Sequence, residues 1–305
     1  MSNIRLDGKV AVVTGAGGGL GKQHALLLAS RGAKVVVNDL GGAMDGTGSG
    51  QTMADQVVEE IKKAGGEAVA NYDSVATAEG GRGIIETAVK SFGRIDLLVN
   101  NAGILRDKSF ANMTEDMWDA VITVHLKGAY NCTKPAYEKM KAQSYGRIVF
   151  TTSGTGLWGN FGQTNYGSAK LGLVGFGNTL RQEGQKYNVH VNTIAPIAVT
   201  RMTESLMQGV PTDIFAPNLV SPLVAYLLSD ECTLNGEVFV VGGGMIARAF
   251  IAETQGAYAN PKKNAPTPEW VAENIETILD EKGYIVPKSV QEDTLKVVQL
   301  MQKDE

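Results

Sequence analysis

Apolar runs four to six residues long recur along the first 245 residues, separated by longer stretches with helical spacing. Lys9–Thr14 (KVAVVT), Lys34–Asn38 (KVVVN), Glu67–Asn71 (EAVAN), Ile95–Asn100 (IDLLVN), Gly146–Phe150 (GRIVF), Val189–Ile194 and Glu237–Val241 are rich in β-branched residues, which predicts seven buried strands. Between them, Gln51–Lys63, a long stretch Glu115–Lys141, and a segment from Thr164 with apolar positions at Leu171, Val174 and Leu180 predict helices. Strands alternating with helices, without a long antiparallel run, point to an α/β fold: a Rossmann-type, doubly wound parallel sheet covered on both faces. After Asn260 the composition shifts to NPKKNAPTP, followed by helical stretches from Pro268 to Lys282 and, past Pro287, to Met301. These features predict a main domain over residues 1–255 and a helical extension over 256–305 packed on it.

At 305 residues with 43% hydrophobic content, the chain can bury a substantial core. A net charge of −4 gives no electrostatic footprint for nucleic acid or an anionic membrane. The two cysteines, Cys132 and Cys232, lack metal-ligand spacing. Together with a start that lacks an apolar leader, they lead us to expect a cytosolic protein with reduced thiols and no metal.

The chemistry concentrates at strand ends. Thr14, Gly15, Gly19 and Gly21 follow the first strand directly and open a helix. Glycines there permit a tight turn, close approach of a pyrophosphate and close helix packing, and the helix start supplies N–H donors for phosphate. Asp39 ends the second strand with no nearby base, a pattern that selects ribose hydroxyls over a 2′-phosphate and so NAD over NADP. The glycine-rich loop after it would either fold over the adenosine side or stay a plain connection. Asp73 and Ser74 follow the third strand, and Asn100-Asn101-Ala102-Gly103 the fourth. Ser153 follows the fifth strand, while Tyr166 and Lys170 stand at i and i+4 on one helix face. A hydroxyl facing a phenol with a neighbouring ammonium is an arrangement for moving a proton on and off a substrate oxygen; the ammonium is expected to lower the phenol pKa. The surroundings of Ser153, TTSGT, are not the G-x-S-x-G elbow of a serine hydrolase.

Taken together, the glycine motif, Asp39, NNAG and the Ser153/Tyr166/Lys170 set resemble the short-chain dehydrogenase/reductase family over residues 7 to about 245. Within it, VVVNDLGG, FGRIDLLVNNAGILRD, WGNFGQTNY, NTIAP and TRMTE are similar to the (3R)-hydroxyacyl-CoA dehydrogenase units of peroxisomal multifunctional enzymes of type 2, and so is the tail TPEWVAENIETI. Here the unit is expected to stand alone, without the hydratase domain that follows it in those enzymes. The resemblance implies NAD-dependent oxidation of a (3R)-3-hydroxyacyl-CoA. Tyr166 would be the acid/base, Ser153 the holder of the substrate oxygen, and Lys170 the tuner of the phenol and a ribose contact. Gly15, Gly19, Leu20, Gly21, Asp39, Asp73, Ser74, Asn101, Gly103 and Thr200 would join Tyr166 and Lys170 around the cofactor. Where many members carry an asparagine in the long helix, this chain has His125, which would either relay protons or pack as a neutral ring. A short lid between Thr200 and Pro217 would leave room for a long thioester, with Leu105, Trp158 and Phe161 as acyl contacts. The resemblance further implies a homodimer or homotetramer paired through the helices near 115–141 and 164–187. A 3-oxoacyl-carrier reductase, a 17β-hydroxysteroid dehydrogenase and a silent NAD(H) sensor carry the same motifs and remain alternatives.

Overall fold

A computed structural model describes residues 3–43, 45–200, 203 and 211–303. In chain order the main body contains β1 (Val10–Thr14), α1 (Gly19–Ser30), β2 (Lys34–Asn38), α2 (Thr52–Lys63), β3 (Ala68–Asn71), α3 (Ala78–Phe92) and β4 (Leu97–Asn100). It continues with α4 (Glu115–Ile122), a π-helical turn (Thr123–Lys127), α5 (Gly128–Gln143), β5 (Gly146–Thr151), α6 (Gly154–Trp158) and α7 (Thr164–Gly184). β6 (Val189–Pro196), α8 (Ser221–Leu227), β7 (Val238–Gly242) and β8 (Met245–Ala249) complete it.

The strands form one sheet in the order β3-β2-β1-β4-β5-β6-β7-β8. The pairings from β3 through β7 are parallel. The sheet thus has eight strands rather than the expected seven. β8 follows β7 after only Gly243 and Gly244, a link too short for a parallel crossover. Its side chains are mostly exposed, so it lacks the buried apolar run by which the other strands announce themselves.

The period-2 alternation within each strand divides the core in two. Ala11, Val13, Val35, Val37, Leu97 and Val99 face one layer, with Ala25 and Leu28 of α1, Val57 and Ile61 of α2 and Val224 of α8. Val10, Val12, Val36, Leu98, Ile148 and Phe150 face the other, with Ile84 and Ile85 of α3, Cys132 and Met140 of α5 and Leu173 of α7. Both cysteines are unpaired and buried. The helices α3 and α5 approach closely because Gly81 has no Cβ; one placed there would lie 2.5 Å from the Asn131 backbone.

The chain winds from β1 outward to β3, then returns to place β4 on the other side of β1. Carboxyl ends diverge at such a switch point and leave a crevice, the usual ligand position in open α/β sheets. The long helix expected over 115–141 is present as continuous helical backbone from Glu115 to Gln143, with a π-helical turn at Thr123–Lys127 that carries His125. No helix among the described residues is long and apolar enough to cross a membrane.

The chain divides into two units, Met1–Arg248 and Ala249–Glu305. Within the second, Glu253 and Ile285 form an antiparallel bridge. Lys296 on α11 (Val290–Lys303) donates to the Glu253 carboxylate at 2.6 Å. The helix expected from Pro268 is two short ones, α9 (Pro268–Glu273) and α10 (Ile275–Leu279), broken at Asn274.

Candidate active site

The crevice at the switch point holds a cleft of about 390 Å³. At one end the glycine turn leaves β1. Gly15 and Gly19 have φ of 63° and 51°, a left-handed conformation that glycine adopts without penalty. A Cβ on Gly21 would sit 2.1 Å from the Gly15 carbonyl oxygen, so Gly21 lets α1 pack against the strand exit. Gly15, Gly19 and Leu20 line the cleft, but Gly21 is not on its wall. The turn is clipped from across the sheet. The Asn101 amide donates to the carbonyls of Thr14 and Gly15 at 3.0 and 3.1 Å, and the Thr14 hydroxyl accepts from the N–H groups of Asn101 and Ala102.

Asp39 caps both neighbouring loops. Its two carboxylate oxygens accept from the N–H groups of Gly17 and Gly41, each at 2.7 Å. This holds a negative charge at the cleft wall beyond β2. The glycine-rich loop after it folds over that end: Leu40, Gly42, Ala43 and Gly46 line the cleft, and Arg106 donates to the Asp45 carbonyl at 2.9 Å. Asp73, Ser74, Gly103 and Thr200 line the cleft too. Asp73 is held by Asn71, whose amide donates to its carboxylate at 2.8 Å. Of the expected short lid, positions 201–202 and 204–210 lie outside the described residues.

The other end carries the proton-handling groups. Ser153 leaves β5, caps α6, and accepts from the Thr155 N–H at 3.2 Å. Ser153 stands close enough to the Tyr166 phenol to lower its pKa. One turn further along α7, the Lys170 ammonium donates to the Thr151 carbonyl at 2.6 Å and lies 5.4 Å from the centre of the Tyr166 ring. Burial pushes the Tyr166 phenol up to about 12 and outweighs the influence of the nearby Ser153 hydroxyl, which lowers it. Burial also pushes Lys170 down to about 7. The expectation of a net-lowered phenol therefore does not hold, because desolvation dominates both groups.

His125 is buried, and its ring meets Tyr166 edge-on, with centroids 5.1 Å apart. Its Nε2 is 3.0 Å from the Ile104 N–H and 2.8 Å from the Ile104 carbonyl. Burial, then the Lys170 charge, holds it well below its ordinary value, so it is a neutral imidazole. Gly103 makes room for it: a Cβ there would lie 2.2 Å from the ring. Of the expected acyl contacts, Leu105 lines the cleft, whereas Trp158 and Phe161 are 71% and 89% exposed and do not. Sequence reasoning missed Thr155, Gln163 and Asp107, which form a hydrogen-bonded set beside Ser153. Their spacing matches no motif. Burial raises the Asp107 carboxyl above its ordinary value, opposed by the Gln163 hydrogen bond.

Residues 9–211 match the family model described as short chain dehydrogenase. The chain belongs to the short-chain dehydrogenase family. It is 48% identical to the mouse peroxisomal multifunctional enzyme type 2, over 99% of this chain and 41% of that protein. The chain thus spans about two fifths of that relative's length. It is 56% identical to a putative short-chain type dehydrogenase/reductase of Mycobacterium tuberculosis, over 82% of this chain and 87% of that one. The full-length peroxisomal multifunctional enzyme type 2 structure from Drosophila melanogaster matches with a TM-score of 0.82 and 40% identity, covering 98% of this chain and 50% of that one. Members of this family are oxidoreductases that bind NAD or NADP.

The site fits a dinucleotide on its own geometry. Among the described residues no backbone acceptor is found for the N–H groups of Gly19, Leu20 and Gly21 at the start of α1, where a phosphate would accept. Gly19 leaves that approach open; a Cβ there would meet nothing nearer than Thr200 at 3.6 Å.

Proposed function

We propose that this chain oxidises a (3R)-3-hydroxyacyl-CoA to the 3-ketoacyl-CoA with NAD as hydride acceptor. The observation that carries the reading is the convergence of Ser153, Tyr166 and Lys170 at one end of a cleft whose other wall carries Asp39. The substrate class is supported by the likeness to the type 2 multifunctional enzymes along almost the whole chain.

In this reading Ser153 hydrogen-bonds the carbinol oxygen and sets it against the Tyr166 phenol. Bound NAD supplies the acceptor for the hydride leaving the carbinol carbon. Once its own proton has passed to solvent, Tyr166 as the phenolate takes the hydroxyl proton, so the oxygen's electron pair can close the ketone. Lys170, held by the Thr151 carbonyl, stays beside the phenol and offers N–H donors to the nicotinamide ribose. Gly15, Gly19 and Leu20 cradle the pyrophosphate, Asp39 accepts from the adenosine ribose, and Asp73 and Ser74 border the adenine. Asn101, Gly103 and Thr200 complete that wall, Gly21 acts by packing, and His125 buttresses the phenol as a neutral ring. An increase in 340 nm absorbance with (3R)- but not (3S)-3-hydroxyacyl-CoA, and with NAD in preference to NADP, tests this; a steroid alcohol serves as the control.

One observation favours a second reading. A phenol held near 12 is already in the acid form that ketone reduction needs, as in a 3-oxoacyl-carrier reductase. Tighter binding of NADPH than NADH would select it. We also propose a symmetric dimer or tetramer paired through α4–α5 and α7, where Tyr130 and Leu171 are exposed; a monomer mass by light scattering would overturn this. A cytosolic setting accords with two unpaired cysteines. Relatives named peroxisomal make imaging of a tagged chain the test.

A further inference from the structure

Gln163 belongs to no motif, yet it is only 4% exposed, forms part of the cleft wall and stands three residues before Tyr166. Its amide is held at three points. The nitrogen donates to Asp107 Oδ2 at 2.7 Å. The oxygen accepts from the Thr155 hydroxyl at 2.9 Å and the Asn160 amide at 3.0 Å. An ionised carboxylate can only accept, so Asp107 decides which end of the amide is nitrogen. Thr155 joins this amide to the proton-handling set, because its own N–H donates to Ser153 Oγ.

An amide nitrogen carries two hydrogens, and Asp107 takes one. The second has no acceptor among the described residues. An unused donor on a buried cleft wall is a place where a ligand acceptor is expected.

We propose that Gln163 is a specificity-determining residue that donates its remaining N–H to the thioester carbonyl of the substrate. This deepens the proposed function and rests on it. In a 3-hydroxyacyl thioester the carbinol oxygen and the carbonyl oxygen stand on carbons one methylene apart, so both can face one wall about 3 Å apart, each meeting its own donor. Ser153 and Tyr166 serve the first and Gln163 the second. An alcohol without that carbonyl leaves the Gln163 N–H unpaired, and sites built to hydrogen-bond a substrate group discriminate strongly against analogues lacking it. Asp107, Thr155 and Asn160 are positioning residues that keep the nitrogen end turned toward the cleft.

The test compares (3R)-3-hydroxybutanoyl-CoA with its thioether analogue, in which a methylene replaces the thioester carbonyl. Wild type, Gln163→Met and Asp107→Ala are measured for kcat, KM, NADH affinity and thermal midpoint. Wild type should prefer the thioester. Gln163→Met should lose about 10–100-fold in kcat/KM on the thioester and less than about threefold on the thioether, collapsing the preference. Asp107→Ala should reduce the preference in the same direction because the amide is freed to turn, and it carries the test if Gln163→Met does not fold. Equal losses on both substrates, or a wild type indifferent to the carbonyl, would overturn the inference and leave the proposed function standing. A wild type inactive on 3-hydroxyacyl thioesters would overturn both.

Discussion

Lys170→Met should make the protein more stable while removing its activity, and the gain should depend on pH. Lys170 is buried, and its pKa falls from an ordinary 10.5 to about 7 in the folded chain. Between those values the unfolded chain holds a proton that the folded one releases, so wild-type stability rises with pH across that window. At about 1.36 kcal/mol per pH unit, the burden on the folded state is roughly 4 kcal/mol at pH 7 and roughly 2 kcal/mol at pH 9. Methionine fills similar space and has no charge to desolvate. It loses the hydrogen bond to the Thr151 carbonyl, leaving a buried acceptor at a cost of about 1–3 kcal/mol. The net expectation is a gain of about 1–3 kcal/mol at pH 7 that shrinks by about 2 kcal/mol at pH 9. Urea unfolding of the cofactor-free protein at both pH values, followed by circular dichroism, measures it. Comparing variant with wild type cancels other titrating groups, such as Cys132, whose thiol burial pushes up to about 12. A difference that stays the same at both pH values would refute the argument that burial sets the Lys170 pKa.

Tyr166→Phe should cut turnover by about 10²–10⁴ while leaving NADH affinity within about twofold, read by steady-state kinetics and fluorescence titration. Oxidation by the native enzyme should speed up with rising pH as the phenol gives up its proton, whereas ketone reduction should not need that step because burial keeps the phenol protonated; a pH profile in each direction separates them. Asp39→Asn keeps the side-chain shape but removes the charge, and should narrow the NAD-over-NADP preference in kcat/KM. Gly103→Ala drives a methyl into the His125 ring and should cost about 1–3 kcal/mol in urea unfolding, as overpacking does; native stability would mean the ring moves freely.

What the sequence determined by itself was local. The alternation of buried strands with helices, the glycines that must turn at the end of β1, and Tyr166 and Lys170 one turn apart on α7 all follow from spacings of a few residues, where backbone geometry leaves little freedom. The fold class and the short-chain dehydrogenase membership were legible for that reason. The tertiary structure decided what depends on partners far along the chain. Asn101 clips a strand exit 87 residues before it, and Asp107 orients Gln163 from 56 residues away; neither pairing leaves a trace in either segment alone. The exposed edge strand β8 escaped because it buries too little to show a pattern. The sequence around His125 reads as helical throughout, and so it is, but the π-helical turn set within that helix shows only in the fold. The direction of the Tyr166 pKa went the same way. An i+4 lysine is visible in sequence and argues for a lowered phenol, but desolvation is summed over every segment that closes around the ring, and that sum exists only in the fold.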